Sequence, residues 1–126
     1  MWSHLYYYFE IKADAEYSKC VNTLELVAFM ESELLLERKG EKGFGVSDTN
    51  MWAEIVIDKT IDGSFSGEGP CPESINLISV VGSKSRGKRT DYIKLFSRVA
   101  EKLDWVLVEE EDDDGNEDVI LWPLVI

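Results

Sequence analysis

The chain has 126 residues, enough for one domain with a real core, and its 44% hydrophobic and 11% aromatic content is that of a folded globule rather than a disordered segment. No apolar run approaches the ~20 residues of a membrane-spanning helix. The formal net charge of −12, from 25 acids against 13 bases, repels nucleic-acid backbones and anionic membranes and favours basic partners at long range.

In chain order, the opening "MWSHLYYYFEIKAD" lacks the basic start and long apolar core of a secretion signal and reads as a strand instead. From Leu5 to Lys12 the residues alternate. Leu5, Tyr7, Phe9 and Ile11 take one side, and Tyr6, Tyr8, Glu10 and Lys12 the other, as in a half-buried strand. From Ser18 the period changes: Val21, Leu24, Val27 or Ala28, and Leu34 or Leu35 fall at helical spacing. "RKGEKG" then offers a basic last turn and a glycine stop. An end near Ser32, leaving "LLLER" extended, fits the pattern as well.

Residues 40–50, "GEKGFGVSDTN", are expected to form a loop, and Trp52–Lys59 a strand rich in β-branched residues. A glycine- and proline-rich connection follows, too long for a tight hairpin. Ile75–Val81 is the next apolar strand. After a basic loop, Thr90 is the expected N-cap of a helix whose stripe is Tyr92, Ile93, Phe96, Val99, Ala100 and Leu103. Trp105–Val108 reads as a strand buried on both faces and Val119–Trp122 as a last strand, with "DDDGN" turning between them. Pro123 places that last strand at an edge. The terminal Leu124, Val125 and Ile126 then need to dock on the body or on a second subunit.

The order β-α-β-β-α-β plus a terminal strand predicts a single α+β domain over residues 1–126. It resembles the ferredoxin-like split βαβ arrangement, an antiparallel sheet with two helices on one face, here with an extra C-terminal strand forming a hairpin.

Three stretches come near known motifs. "GSKSRGKRT", Gly82–Thr90, has the glycine and lysine spacing of a phosphate-binding loop, but Arg89 stands where the magnesium-ligating hydroxyl belongs and Thr90 is one position late. Lys84, Arg86, Lys88 and Arg89 nonetheless form a candidate anion site ahead of a helix N-terminus. "KGFG", Lys42–Gly45, together with Tyr6 and Tyr8, echoes the aromatic sheet of RNA-recognition domains; the continuation Val46-Ser47-Asp48 and the net charge speak against RNA. Those tyrosines are expected on a sheet face that touches another protein or is covered by the C-terminal strand. Glu110, Asp112, Asp114 and Gly115 match the early positions of a calcium loop, but Leu121 stands where a bidentate glutamate is needed.

Eight of the ten residues from Glu109 to Asp118 are acidic: Glu109, Glu110, Glu111, Asp112, Asp113, Asp114, Glu117 and Asp118. They carry −8 of the net −12, so the charge is gathered at one hairpin rather than spread for solubility. Such a cluster repels itself, and its plain use is to keep an edge wet and unaggregated. Its functional use is to attract a strongly basic protein. In size, acidity and lack of a catalytic set, the chain resembles small acidic bacterial immunity proteins, which neutralise basic toxins, nuclease toxins among them. The likeness is one of type and no motif carries it. It implies a non-catalytic, cytoplasmic toxin inhibitor that docks a basic partner through the eight hairpin acids, with Trp105 and Trp122 as aromatic anchors inside the charged rim. The alternative is a regulatory domain that binds a small molecule, nucleotide or anion on the Lys84–Arg89 loop.

No catalytic, metal or cofactor site is expected. His4 has no paired nucleophile, and Cys71 lies in a proline-flanked loop with nothing to lower its pKa. Glu54 and Asp58 share one strand face as surface carboxylates commonly do. Two cysteines, Cys20 and Cys71, without CxxC spacing suit a reducing cytoplasm rather than a disulfide or zinc framework.

Overall fold

A computed structural model describes residues 5–34, 36–47, 51–66, 68–111 and 114–123. Strand β1 (Tyr6–Lys12) leads into a two-residue strand β2 (Val21–Asn22) and helix α1 (Thr23–Ser32). The meander β3 (Glu37–Arg38), β4 (Gly43–Ser47) and β5 (Trp52–Asp58) follows. A long connection returns through β6 (Ser74–Ile75) to β7 (Leu77–Ser83), and helix α2 (Arg89–Leu103) leads to the hairpin β8 (Val106–Glu111) and β9 (Glu117–Trp122). The α+β class read from the sequence holds. The strands β3-β4-β5-β7-β1-β8-β9 form one sheet, every neighbouring pair antiparallel, and β2 pairs with β6 in a separate two-stranded ribbon.

Period-two alternation decides which side of this sheet is core. Register places Phe9 beside Val80, Ile11 beside Ile78 and Leu107, and Ile55 beside Val80 and Phe44. These residues are buried in a single cluster with Leu26, Val27 and Met30 of α1 and with Tyr92, Phe96, Val99 and Ala100 of α2. Both helices therefore lie on one face. They meet there as well, for the Lys102 ammonium stands 5.7 Å from the Phe29 ring centroid and the Arg98 guanidinium donates to the Glu33 carbonyl (3.3 Å). At ~25 cal/mol per Å², this one-sided burial is the main stabilising term of the domain.

Several local expectations are corrected. The first helix begins at Thr23, not near Ser18: Asn22 caps it by accepting a hydrogen bond from the Glu25 N–H (3.1 Å), and Val21 is held in the ribbon with Ile75. Leu24, expected on the apolar stripe, is exposed. The helix ends at Ser32, and "RKGEKG" turns the β3–β4 hairpin rather than closing a helix. Residues 43–47, read as loop, are strand β4: Phe44 and Val46 alternate onto the core side, while Gly43 and Gly45 read locally as turn residues. The run from Ile75 divides at the buried Asn76, whose side chain clasps Thr60 by accepting from its N–H (2.8 Å) and donating to its carbonyl (2.8 Å). Helix α2 is capped at Lys88 without a side-chain bond, and Thr90 lies inside its first turn. Strand β9 is at the sheet edge, as Pro123 led us to expect. No helix among the described residues is long and apolar enough to cross a membrane.

Candidate functional site

The alternation that sends Tyr7, Phe9 and Ile11 into the core sends Tyr6, Tyr8, Glu10 and Lys12 to the helix-free face. The ladders extend this face across the sheet. One row reads Glu54, Val81, Tyr8, and the next Val56, Ser79, Glu10, Val108, Ile120. One end of the face is roofed by loops. The Tyr17 ring covers the Lys12 ammonium at 5.1 Å, Asn76 donates to the Tyr17 carbonyl (3.2 Å), and the Ser66 N–H donates to the Asp58 carboxylate (3.0 Å). At the other end the rings of Tyr6 and Trp52 lie with centroids 6.0 Å apart, and Tyr6 and Glu54 are exposed.

Charge on this face is concentrated toward β8 and β9. Lys12 donates to Glu10 at 2.8 Å, and both are buried. Burial alone lowers the lysine pKa, but the Glu10 carboxylate outweighs it and holds the ammonium above its ordinary value. Glu110 lies between the Glu109–Val119 and Glu111–Glu117 pairs, which sets it opposite Asp118. Its carboxyl is pushed up to about 7, first by burial and then by the neighbouring carboxylates of Glu10 and Asp118, with Lys12 opposing. The Lys12 ammonium, bonded to Glu10, thus offsets only part of the rise at Glu110, which is partly protonated at neutral pH.

The rest of the acidic run divides by strand side. Glu111 is half-buried, while Asp114, Glu117 and Asp118 are exposed along the hairpin, which turns at Gly115 with φ 83°. Asp112 and Asp113 lie outside the described residues. Glu109 is a correction. Expected at a partner-facing surface, it points to the helix side, is 1% exposed, and accepts from Arg89 Nε (2.9 Å) and Nη2 (2.6 Å). Opposite-parity neighbours in a strand face opposite ways, so the consecutive acids of β8 were never going to share one surface. Trp105 is likewise core, at 5% exposure, rather than an anchor, and Trp122 is half-buried against that core.

The basic loop between β7 and α2 has the glycines of a phosphate loop for another reason. Gly82 and Gly87 both pack on Tyr92, where a Cβ would come within 2.7 Å of the ring at Gly82 and within 2.8 Å of the ring and 2.6 Å of its hydroxyl at Gly87. The Tyr92 hydroxyl donates to the Trp52 carbonyl (2.6 Å) and accepts from the Ser83 N–H (3.0 Å), and burial pushes its pKa up. A phosphate cradle needs converging backbone donors. Here the N–H groups of Lys84 and Arg86 donate to the carbonyls of Leu5 and Ser83, and those of Asp91 and Tyr92 to Lys88. Of the four candidate anion ligands, Arg89 is engaged by Glu109 and the Lys84 ammonium lies 5.3 Å from the Tyr7 ring centroid. Arg86 and Lys88 are exposed.

His4 lies outside the described residues. Burial pushes the Cys71 thiol above its ordinary pKa, the opposite of what a nucleophile requires. Glu54 and Asp58 do share the helix-free face, but Asp58 accepts from Lys42 at 3.2 Å. Burial raises the Asp58 pKa, yet the N–H groups of Ser66 and Lys59 and the Lys42 ammonium outweigh it and hold the carboxyl low. Among the described residues no group of three His, Cys, Asp or Glu is placed to hold a metal.

The Glu10–Lys12–Glu110–Tyr17 cluster was not singled out from the sequence. Alternation puts Glu10 and Lys12 on the face of Tyr6 and Tyr8, but their burial comes from the β7 and β8 neighbours and from the Tyr17 roof, none of them adjacent in sequence. Compared with known proteins, the chain matches no family model, no curated protein and no solved structure.

Proposed function

We propose that this protein is a non-catalytic, cytoplasmic binding module of the immunity type, which neutralises a basic, nuclease-like toxin by electrostatic docking. The observation that carries the reading is the exposed acidic edge: Asp114, Glu117 and Asp118 stand out from the β8–β9 hairpin at the rim of the sheet. With Glu109 withdrawn into its ion pair, the docking charges are Glu110, Glu111, Asp114, Glu117 and Asp118, and Trp122 is the aromatic residue beside them. The order β8-β1-β7-β5, with α1 between β1 and β5 in sequence and α2 between β7 and β8, supports a split-βαβ, ferredoxin-like core lengthened at both edges.

The test measures binding of the full chain to a purified basic nuclease-toxin domain, taken from a secreted protein encoded beside this chain where the genome holds one. Its Kd is expected to weaken by about tenfold or more between low and physiological salt, because exposed charges are screened within ~8 Å at the higher ionic strength. Changing Glu111, Asp114, Glu117 and Asp118 to amides should weaken binding further and flatten the salt dependence. A Kd indifferent to both changes overturns the proposal.

A further inference from the structure

We infer that docking extends beyond the hairpin across the helix-free sheet face, and that this face takes an extended basic segment with an apolar side chain between its cations. This rests on the reading of the hairpin as a docking element and names the partner's chemistry more closely. An aromatic and aliphatic patch occupies the unroofed end: Tyr6, 37% exposed, against Trp52, with half-buried Tyr8, Val56 and Val81 behind them. On the edge strand, Ile120 is 54% exposed in the row of Val56 and Glu10. A patch of rings and aliphatic side chains bounded by charge is the anatomy of a protein interface: apolar contacts supply the affinity and the rim sets the register.

The bounding charge is negative at both ends of one row. Glu54 on β5 is exposed and pairs with Val81, which pairs with Tyr8. The Phe9–Glu109 pair, continued by one residue, sets Glu110 beside Tyr8. From Glu54 to Glu110 the row therefore crosses three strand spacings, ~14 Å. The face's own cations are already engaged: Lys12 is bonded to Glu10 and offsets Glu110 only in part, Lys42 is paired with Asp58 at 3.2 Å, and Lys39, near the far edge, with Glu37 at 3.3 Å. Nucleic acid, the other ligand of aromatic sheets, would meet these carboxylates head on.

An extended peptide places alternate side chains on one side, so residues i and i+4 stand ~13–14 Å apart. In a Lys-x-Leu-x-Lys segment the two ammonium groups match the Glu54–Glu110 span and the leucine falls on Tyr8 and Val81. The ammonium stems add contacts with the Tyr6 and Trp52 rings.

The experiment is a residue-resolved ¹⁵N NMR titration of the full chain with capped Lys-Ser-Leu-Ser-Lys, with Lys-Ser-Ser-Ser-Lys as control. The leucine peptide is expected to bind about fivefold tighter than the control and to shift Tyr6, Tyr8, Glu54 and Val81 as well as the hairpin. Glu54→Gln, an exposed change far from β9, should weaken the leucine peptide about threefold. Shifts confined to Asp114–Asp118, with Glu54→Gln silent, would overturn the extended face and leave hairpin docking standing. Binding of neither peptide would overturn both readings. Shifts on this face from oligouridylate instead would make it a nucleic-acid platform and end the proposal.

Discussion

Tyr92 accounts for much of the phosphate-loop likeness, because a single ring stacked between two glycines fixes their spacing. Methyl groups at either position would drive into the ring, so Gly87→Ala is expected to destabilise the domain by about 1–3 kcal/mol, read as a lowered denaturant midpoint with an unchanged m-value. Phosphate should not raise the melting temperature of the natural chain. Glu110 offers a second check, with a defined sign. Its folded carboxyl titrates near 7 against 4.5 for an ordinary glutamate, so between those values the folded state holds more protons than the unfolded chain. Stability contributed by this group therefore declines as pH rises through that window, and stays low above it. Glu110→Gln removes the ionisation. At pH 8 it should gain on the order of 1–2 kcal/mol, discounted for the solvent a half-buried carboxyl still meets, and at pH 4 it should match the parent. Thermal unfolding at the two pH values separates this from a general packing effect, which would move both alike.

Helix α2 and strand β8 are tied by one ion pair that spans the core edge. Arg89 is partly exposed and Glu109 almost fully buried, so the two are not equivalent. Arg89→Ala strands a carboxylate away from water and is expected to lose about 2–4 kcal/mol, whereas Arg89→Met combined with Glu109→Leu should recover most of that loss. Equal destabilisation by the single and double variants in chemical unfolding would show that the charge pair is not what holds the helix start. At this scale the sequence was readable wherever one period ran long enough. Strand β1, strand β5 and the stripe of α2 follow from it, while the β8–β9 hairpin was read from its turn residues and runs further into the acids, Val106–Glu111 and Glu117–Trp122, than the apolar runs suggested. It was least readable where glycine serves a neighbour rather than a turn. "GFG" in β4 looks like loop chemistry, yet Gly43 and Gly45 sit beneath the Lys39 side chain, whose Cε would lie 2.9 Å from a Cβ at Gly45. The first helix shows the other limit: Leu24 continues a helical spacing but faces solvent, because the ribbon partner of Val21 re-aims the entry to α1.

For the molecule as a whole, net charge led us to expect a basic partner, but the sequence order of the acids did not say which of them face outward. Pairing did: it buried Glu109, exposed Glu117 and Asp118, and placed Glu110 among Glu10, Asp118 and Lys12 from β1 and β9, under Tyr17 from the roofing loop. In the docking mode proposed, that placement would couple binding to protons. A cation settling beside Glu110 favours its charged form and lowers its pKa, so binding near neutrality is expected to release protons from this carboxyl. For the Lys-Ser-Leu-Ser-Lys peptide, calorimetry at pH 7 in buffers of different ionisation enthalpy should show release of up to ~0.4 proton per complex. Affinity should rise from pH 6 to pH 8, a direction opposite to the contribution of Glu110 to stability over much of that range. Both effects should vanish in Glu110→Gln while its hairpin-dependent salt sensitivity remains. Proton release that persists in that variant would assign the linkage to another group, and an affinity that falls with pH would place the bound cation away from Glu110.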